Sequence, residues 1–179
     1  AVVHLAAIVG DPACDKQPSL AREVNLGATV QMLHASQTQG AGRFVFASTC
    51  SNYGKMRDPL EFLTEESPLR PISVYAETKV AAEAALLDSA DDTHCAPTIL
   101  RFATLFGLSP RPRFDLTVNE FTMRLLADRR LVLYGAQFWR PYVHVRDAAR
   151  AICLVLDAPI EKVSSQVYNV GDSRENYRK

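Results

Sequence analysis

Short apolar runs alternate with helix-like segments along almost the whole chain, and this alternation limits it to few folds. The apolar runs, typical of strands buried in a sheet, occupy residues 2–7, 43–48, 97–102, 131–134, 142–145 and 166–170. Apolar residues at helical spacing predict helices over residues 19–39, 73–88, 116–129 and 147–156, with Ser73 and Asp147 as caps. Residues 58–71 and the segment that begins at Asp11 contain prolines that predict loops. Strands that alternate with helices predict an α/β fold with a parallel sheet.

Composition narrows the class of protein further. A length of 179 residues predicts roughly one domain, and 47% apolar with 22% charged residues is ordinary for a soluble globular chain. The formal net charge is zero, which gives no support to a nucleic-acid partner, and no apolar run approaches the roughly 18 residues of a membrane helix. Four dispersed cysteines and four dispersed histidines lack metal-ligand spacing. We therefore expect no metal site and a reducing, cytoplasmic location.

The balanced total charge hides a basic stretch. Residues 101–150 hold nine arginines, no lysine and four acidic residues, so their net charge is +5. A guanidinium grips a phosphate with two parallel hydrogen bonds and keeps its charge when it is partly buried. The stretch therefore indicates either a phosphate-binding surface or a solvated helix face.

One predicted helix carries a pair of residues suited to proton transfer. Tyr75 and Lys79 are four residues apart, so a helix places them on one face, about 6 Å from each other. An ammonium group beside a phenol favours the phenolate and lowers the tyrosine pKa from about 10, so that the phenol can exchange a proton with an alcohol near neutral pH. Taken alone, the pair is a weak signal, because most helices with this spacing have a packed tyrosine and a solvated lysine.

Hydroxyl-bearing residues follow the second predicted strand. Residues 48–54, with the sequence STCSNYG, begin where that strand ends. The carboxyl ends of strands are where α/β sheets bind ligands. A hydroxyl at this place can hydrogen-bond the substrate oxygen that Tyr75 deprotonates, although a simple turn has the same composition.

Further short motifs accompany these residues from one end of the chain to the other. They are HLAA at 4–7, Asn25, FAST at 46–49, Tyr53-Gly54, Leu100-Arg101, Phe106-Gly107, Arg140, VHV at 143–145, Asp147-Ala148 and YNVG at 168–171. Together with Tyr75-x-x-x-Lys79, and in this order, they resemble the extended short-chain dehydrogenase/reductases of the NAD-dependent nucleotide-sugar epimerase/dehydratase type. The joint occurrence of the motifs is far more specific than any one of them.

The resemblance implies roles for individual residues. Tyr75 is the implied acid/base, Lys79 its partner and Thr49 the hydroxyl that binds the reacting oxygen. NAD is the implied cofactor, with NADP as an alternative, and a nucleotide-diphosphate sugar is the implied partner. The implied cofactor-binding residues are Leu5, Ala6, Ala7, Asn25, Ala47, Ser48, Tyr75, Lys79, Phe102 and Ala103. The implied substrate-binding residues are Thr49, Cys50, Ser51, Thr104, Arg113, Asn119, Tyr134 and Arg140.

The same resemblance implies a division of the chain. Residues 1–105 correspond to the second half of a Rossmann-type dinucleotide-binding domain, and residues 106–179 to a small substrate-binding region whose strands return to the core. The glycine-rich turn that opens the family has no counterpart, so we expect a segment to be missing at the front and a truncation at the C-terminus. Without that segment one edge of the parallel sheet is unpaired and apolar, which predicts a homo-oligomer.

Two positions bear on the type of reaction. Dehydratases of the family carry an Asp-Glu pair directly after the catalytic threonine, whereas this chain has Cys50 and Ser51. The difference favours an epimerase over a dehydratase. An NAD(P)-dependent sugar or carbonyl reductase, and a non-catalytic remnant that binds ligand or self-associates, are the alternatives. We expect packing roles for His4 and His144.

Overall fold

The chain forms two compact units. The structure, a computed structural model, describes residues 1–55, 62–89 and 95–178. The first unit comprises the described residues of 1–101 and 152–169, and the second comprises residues 102–151 with the segment from residue 170 onward.

Strands and helices alternate in both units. In chain order the strands are β1 (Val2–His4), β2 (Phe44–Thr49), β3 (Pro97–Phe102), β4 (Thr104–Phe106), β5 (Trp139–His144), β6 (Val167–Val170) and β7 (Asn176–Arg178). The helices are α1 (Asp11–Lys16), α2 (Pro18–Arg22), α3 (Thr29–Thr38), α4 (Val74–Asp88), α5 (Thr117–Asp128), α6 (Val145–Asp157) and α7 (Ile160–Val163). A π-helical turn at Glu23–Ala28 joins α2 to α3, and 3-10 turns occupy Cys50–Tyr53 and Ser173–Glu175.

A four-stranded parallel sheet organises the first unit, in the order β1-β2-β3-β6. Val3 of β1 lies opposite Val45 of β2 in parallel register. All six residues of β3 are buried, and five of the six in β2 are. Both strands lie inside the sheet, which explains their unbroken apolar runs. The predicted α/β fold with a parallel sheet is confirmed.

The core of the first unit lies between this sheet and helices α3 and α4. Its buried members are Leu33, Phe44, Phe46, Ala82, Leu86, Cys95 and Ile99. Arg43, which precedes β2, donates hydrogen bonds to the carbonyl oxygens of Val155 (3.0 Å) and Ala158 (2.6 Å). These carbonyls belong to the last turn of α6 and the residue after it, so the guanidinium caps that helix end.

Most helix predictions for the first unit are confirmed. The segment predicted over 19–39 is helical from Pro18 to Thr38, although a π-helical turn interrupts it. Helix α4 begins after Ser73, whose hydroxyl accepts a hydrogen bond from the backbone N–H of Ala76 at 3.3 Å, as the cap prediction requires. The loop predicted from Asp11 is wrong, because α1 begins there. A proline in the first helical turn has no N–H to leave unpaired, so Pro12 does not prevent the helix.

A smaller sheet organises the second unit, in the order β4-β5-β7. Strand β5 pairs parallel with β4 and antiparallel with β7. The strand predicted over 131–134 is wrong: these residues belong to neither sheet, and Tyr134 is 80% exposed. A strand needs a neighbouring strand to pair with, and local β propensity alone does not supply one.

Two other boundaries differ from the sequence predictions. Strand β5 begins at Trp139, three residues before the predicted start, and α6 begins at Val145, so Asp147 lies in its first turn rather than at its cap. Of the loop predicted over 58–71, residues 58–61 lie outside the described residues, and residues 62–71 contain neither helix nor strand. In the ranges that the structure describes, no helix has the length and apolar character needed to cross a membrane.

Candidate active site

Thr49 ends β2, and its hydroxyl faces the turn that follows. The side chain is 9% exposed, and its Oγ1 accepts a hydrogen bond of 3.1 Å from the backbone N–H of Ser51. This bond begins the 3-10 turn Cys50–Tyr53. Gly54 closes the turn with φ +70°, and a side chain there would collide with the carbonyl of Arg70. The turn geometry therefore fixes the place of Thr49 at the carboxyl end of the sheet.

Helix α4 carries Tyr75 and Lys79 on one face. Tyr75 lies in the first helical turn and is half-buried, while Lys79 is only 2% exposed. The Lys79 ammonium donates a hydrogen bond of 2.9 Å to the carbonyl oxygen of Ala47 in β2, and it lies 4.4 Å from the centre of the Phe46 ring. The alternative with a solvated lysine is therefore wrong.

Burial changes the proton affinity of Lys79. Loss of hydration disfavours the ammonium form and lowers the pKa of Lys79 to about 8, although the nearby Glu83 and Cys14 oppose that shift. A lysine in this condition exchanges its proton much more readily than a solvated one.

Asn25 joins three segments next to this helix. It lies in the π-helical turn, is fully buried, and accepts a hydrogen bond of 2.8 Å from the N–H of Ile8 while donating one of 3.0 Å to the Ile8 carbonyl. Its Nδ2 also donates to Thr78 Oγ1 at 3.1 Å, and Thr78 in turn donates to the carbonyl of Tyr75 at 2.7 Å. Asn25 therefore holds the loop after β1 and the first turn of α4 together.

The loop that Asn25 holds carries the first predicted cofactor-binding residues. Leu5 is 59% exposed, Ala6 is exposed and Ala7 is half-buried. They leave the carboxyl end of β1 as a small, accessible apolar surface. His4, the last residue of β1, is buried instead: its Nε2 lies 3.0 Å from Thr29 Oγ1 and its ring stacks on Phe46. The packing role expected for His4 is confirmed.

A buried ion pair lies behind the strand end. The guanidinium of Arg101 in β3 donates to both carboxylate oxygens of Glu83, from Nη2 to Oε2 at 2.7 Å and from Nε to Oε1 at 3.1 Å, and both side chains are at most 6% exposed. Ser48 donates to the same carboxylate. The arginine-rich stretch suggested that Arg101 serves a phosphate-binding or solvated surface, and that reading is wrong for this residue. A glutamate at the buried, alanine-rich face of α4 was the available signal for an ion pair.

Phe102 is the last residue of β3, and Ala103 follows it. Both are buried, and the N–H of Ala103 donates to the carbonyl of Val170 at 2.9 Å. The cofactor roles implied for these two residues, and for Ala47 and Ser48, stay predictions.

In the second unit the structure brings two of the predicted substrate-binding residues together. Asn119 of α5 accepts a hydrogen bond of 3.3 Å from the N–H of Gly107 and donates one of 3.0 Å to the carbonyl of Arg113. The Arg113 guanidinium makes two hydrogen bonds to Asp115, of 2.5 and 3.1 Å, which lower the pKa of that carboxyl. Thr104 lies half-buried in β4, and Arg140 is exposed in β5.

His144 has a packing role in the same unit. Its Nδ1 accepts a hydrogen bond of 3.2 Å from the N–H of Arg146, and its ring meets the Phe106 ring edge-on at 5.2 Å. Gly107 has φ +119°, and a Cβ there would lie 2.6 Å from the ring of His144. In the described part of the chain, no group of three His, Cys, Asp or Glu side chains is arranged to hold a metal ion.

A hydroxyl at the end of a central parallel strand, with a Tyr-x-x-x-Lys helix packed beside it, defines the class of protein: a Rossmann-type short-chain dehydrogenase/reductase. The sequence profile described as "NAD dependent epimerase/dehydratase family" matches residues 1–171. The chain therefore belongs to the NAD-dependent epimerase/dehydratase family.

Curated relatives and solved structures agree with this membership. The chain is 29% identical to a UDP-glucose 4-epimerase of Lactobacillus helveticus over an alignment of 189 positions, gaps included, that covers 96% of this chain and 56% of that protein. Its fold matches the UDP-glucuronic acid 4-epimerase of Bacillus cereus, solved with UDP-glucuronic acid and NAD, with a TM-score of 0.82, 28% identity and coverage of 96% and 54%. It also matches a dTDP-glucose 4,6-dehydratase of Streptomyces venezuelae, solved with NAD, with a TM-score of 0.81, 29% identity and coverage of 94% and 50%. The chain spans about half the length of the relatives it matches.

Proposed function

We propose that this chain carries the acid–base centre of an NAD-dependent epimerase that acts on a nucleotide-diphosphate sugar. The observation that carries the proposal is the burial of Lys79 on the face of α4 that holds Tyr75, with its ammonium bound to the strand that ends in Thr49. A buried cation one helical turn from a phenol stabilises the phenolate, which is the form that removes a proton from an alcohol.

The residues around this centre suit the nicotinamide end of NAD. Lys79 supplies an ammonium donor for a ribose hydroxyl, and Leu5 supplies accessible apolar surface for a flat ring. Tyr75 and the loop that Asn25 fixes complete the proposed binding set within the first unit. NADP has the same nicotinamide end and stays an alternative. The chemistry that bound NAD would supply there is reversible acceptance of a hydride from the sugar carbon.

Each proposed catalytic side chain then has one task. Tyr75 takes the proton from the sugar hydroxyl and gives it back after the carbon centre has changed configuration. Thr49 hydrogen-bonds the same oxygen and keeps it within reach. Lys79 holds the charge of the phenolate, since it is protonated below its pKa of about 8.

The second unit supplies the proposed groups for the nucleotide diphosphate. Arg113 and Arg140 carry fixed positive charge, and the Asn119 amide orders the backbone around Arg113. We assign Tyr134 and Thr104 to the base and the sugar. The turn after Thr49 carries Cys50 and Ser51, which offer no carboxylate to help expel water, so we favour epimerisation over dehydration.

Product analysis tests the proposal. The chain is incubated with NAD and, separately, with UDP-glucose and UDP-glucuronic acid, the sugars bound or used by its relatives. We expect the 4-epimer to accumulate, without net reduction of NAD. A keto-sugar that has lost water would identify a dehydratase. In a parallel incubation with NADH or NADPH and a keto-sugar, steady consumption of the reduced cofactor would identify a reductase. Calorimetric binding of NAD without any product would identify the non-catalytic remnant.

We also propose a homo-oligomer in a reducing compartment. β1 lies at one edge of the four-stranded sheet and carries Val2 and Val3, so a second chain can pair with it. The four cysteines, all within the described ranges, form no disulfide, which fits the cytoplasm. Light scattering after size exclusion tests the assembly: a mass equal to the monomer's 19.8 kDa at micromolar concentration would contradict it.

A further inference from the structure

Glu83 is the most heavily hydrogen-bonded buried carboxylate among the described residues, and the acid–base chemistry leaves it unused. It is 2% exposed. Its Oε1 accepts hydrogen bonds from Ser48 Oγ and from Asn52 Nδ2, the latter at 2.8 Å. Arg101 supplies the remaining donors through Nε and Nη2. Removing a carboxylate from water has a large free-energy cost. A buried carboxylate that accepts this many hydrogen bonds therefore indicates a role beyond packing.

The donors to Glu83 flank Thr49 on both sides. Ser48 is the residue before Thr49 in β2, and Asn52 lies three residues after Thr49 in the 3-10 turn; the two also bond each other at 3.1 Å. Thr49 therefore lies between two residues that are tied to one carboxylate oxygen.

Two successive turns of helix α4 bind strand β2. Glu83 follows Lys79 by four residues, so both side chains leave one face of the helix. Lys79 binds the carbonyl of Ala47, and Glu83 binds the hydroxyl of Ser48. Two successive residues of β2 are thus bound by two successive turns of the helix that carries Tyr75.

We propose that Glu83, anchored by Arg101, is a positioning residue that fixes the end of β2 against α4 and thereby sets the place of the Thr49 hydroxyl relative to Tyr75 and Lys79. The inference rests on the proposed function for its catalytic consequence. The hydrogen bond between Ser48 and Glu83, here called the tether, fixes the end of β2 whether or not the chain catalyses a reaction.

The substitution Ser48→Ala tests the tether separately from the Glu83–Arg101 ion pair. Ser48→Ala removes the bond to Glu83 but leaves both charges of the Glu83–Arg101 pair in place. Ser36→Ala is the matched control, because Ser36 is also buried and donates its hydroxyl, at 2.6 Å, only to the carbonyl of Met32 in its own helix. A double variant, Glu83→Gln with Arg101→Met, removes the anchor without leaving either charge buried alone.

Two readouts separate positioning from plain stability. Misplacement of a reacting group by a fraction of an ångström lowers kcat by about tenfold or more, with little change in KM. The second readout is the pKa of Lys79, followed by NMR of labelled lysine without cofactor. A displaced strand end lets water reach Lys79 and raises its pKa from about 8 towards 10.5. The charged and titratable groups that face Lys79 are Glu83 and Tyr75 of α4, His4 of β1 and Cys14 of α1, and Ser48→Ala leaves all four in place.

We expect folded Ser48→Ala protein to show a lower kcat and a raised Lys79 pKa, the folded double variant to show a lower kcat, and Ser36→Ala to match the wild type in both. The Lys79 pKa is read only in Ser48→Ala, because the double variant also removes the Glu83 charge that raises it. A wild-type kcat and Lys79 pKa in Ser48→Ala, or a wild-type kcat in the folded double variant, would overturn the inference. If Tyr75→Phe is inactive while Ser48→Ala is fully active, the proposed function stands and the inference falls. If no variant and no wild-type protein turns over, the Lys79 pKa alone decides the inference.

Discussion

The ammonium group of Lys79 donates a hydrogen bond of 2.9 Å to the carbonyl oxygen of Ala47, in a setting where Lys79 is 2% exposed. One backbone carbonyl and the face of the Phe46 ring replace the water shell of the cation. These two contacts compensate for only part of the hydration that the ammonium group loses, and for this reason the pKa of Lys79 is lowered. Lys79 therefore costs stability in the charged state, and a cost of this kind is typical of a functional group.

The first prediction concerns the pH dependence of stability. The pKa of Lys79 is about 8 in the folded protein and 10.5 in the reference state, so between these values the unfolded chain binds one more proton. The contribution of Lys79 to the free energy of unfolding is therefore flat below about pH 8 and rises from pH 8 to 10.5. The total rise is on the order of 3 kcal/mol.

Urea unfolding of the wild type and of Lys79→Met at several pH values measures this contribution, because the titrations of groups that do not interact with Lys79 cancel in the difference. We expect the difference between the two proteins to grow in favour of the wild type as the pH rises through that window. A difference that stays constant would mean that Lys79 is solvated in the folded chain.

The second prediction concerns the buried ion pair. Arg101→Met leaves the Glu83 carboxylate buried without its cation and should lower the free energy of unfolding by about 3–5 kcal/mol. Adding Glu83→Gln removes the orphaned charge, so the double variant should be more stable than Arg101→Met alone. The exposed pair of Arg22 and Glu77, with side chains 54% and 49% accessible, is the control, and its removal should cost less than about 1 kcal/mol.

The third prediction concerns the amide of Asn25. Asn25→Leu keeps the volume but leaves the N–H of Ile8 without its partner and leaves the Ile8 carbonyl with the Cys14 thiol, at 3.3 Å, as its donor, which costs about 1–3 kcal/mol. Hydrogen exchange should then accelerate at the Ile8 amide. Gln31→Leu, on the exposed side of the following helix, should leave that exchange rate unchanged. Unaltered protection at Ile8 in Asn25→Leu would contradict the role given to this amide.

The fourth prediction concerns the proposed diphosphate site. The carboxylate of Asp115 occupies the guanidinium edge of Arg113 with two hydrogen bonds. A diphosphate has to compete with that carboxylate, so Asp115→Asn should tighten the binding of UDP by about threefold. Arg113→Ala should weaken it. Calorimetric titration with UDP measures both, and tighter binding in Arg113→Ala would remove Arg113 from the proposed site.

The sequence predicted correctly the features that depend on residues close to each other in the chain. The position of the α4 cap at Ser73 and the common face of Tyr75 and Lys79 follow from helical spacing, and the family follows from motifs that occur in order. The burial of Lys79 could not be predicted from the sequence, because it depends on how closely β2 packs against the helix.

Long-range pairing explains the predictions that were wrong. Arg101 seemed to belong to a basic surface because its partner, Glu83, lies 18 residues away on another element. Residues 131–134 have strand-like composition, but strand formation needs a neighbouring strand, and these residues belong to neither sheet. In both cases contacts between residues far apart in the chain determine the local structure, and neither composition nor periodicity predicts such contacts.

The most direct measurement is the rate of NAD-dependent conversion of a nucleotide sugar by Tyr75→Phe. The substitution removes one hydroxyl and leaves the helix, Lys79 and Thr49 in place. Tyr168→Phe is the matched control, because the Tyr168 hydroxyl bonds only the carbonyl of Lys162. We expect Tyr75→Phe to lose about 10²-fold or more in kcat while Tyr168→Phe keeps the wild-type rate. A wild-type rate in Tyr75→Phe would show that the proton moves elsewhere and would contradict the proposed acid–base centre.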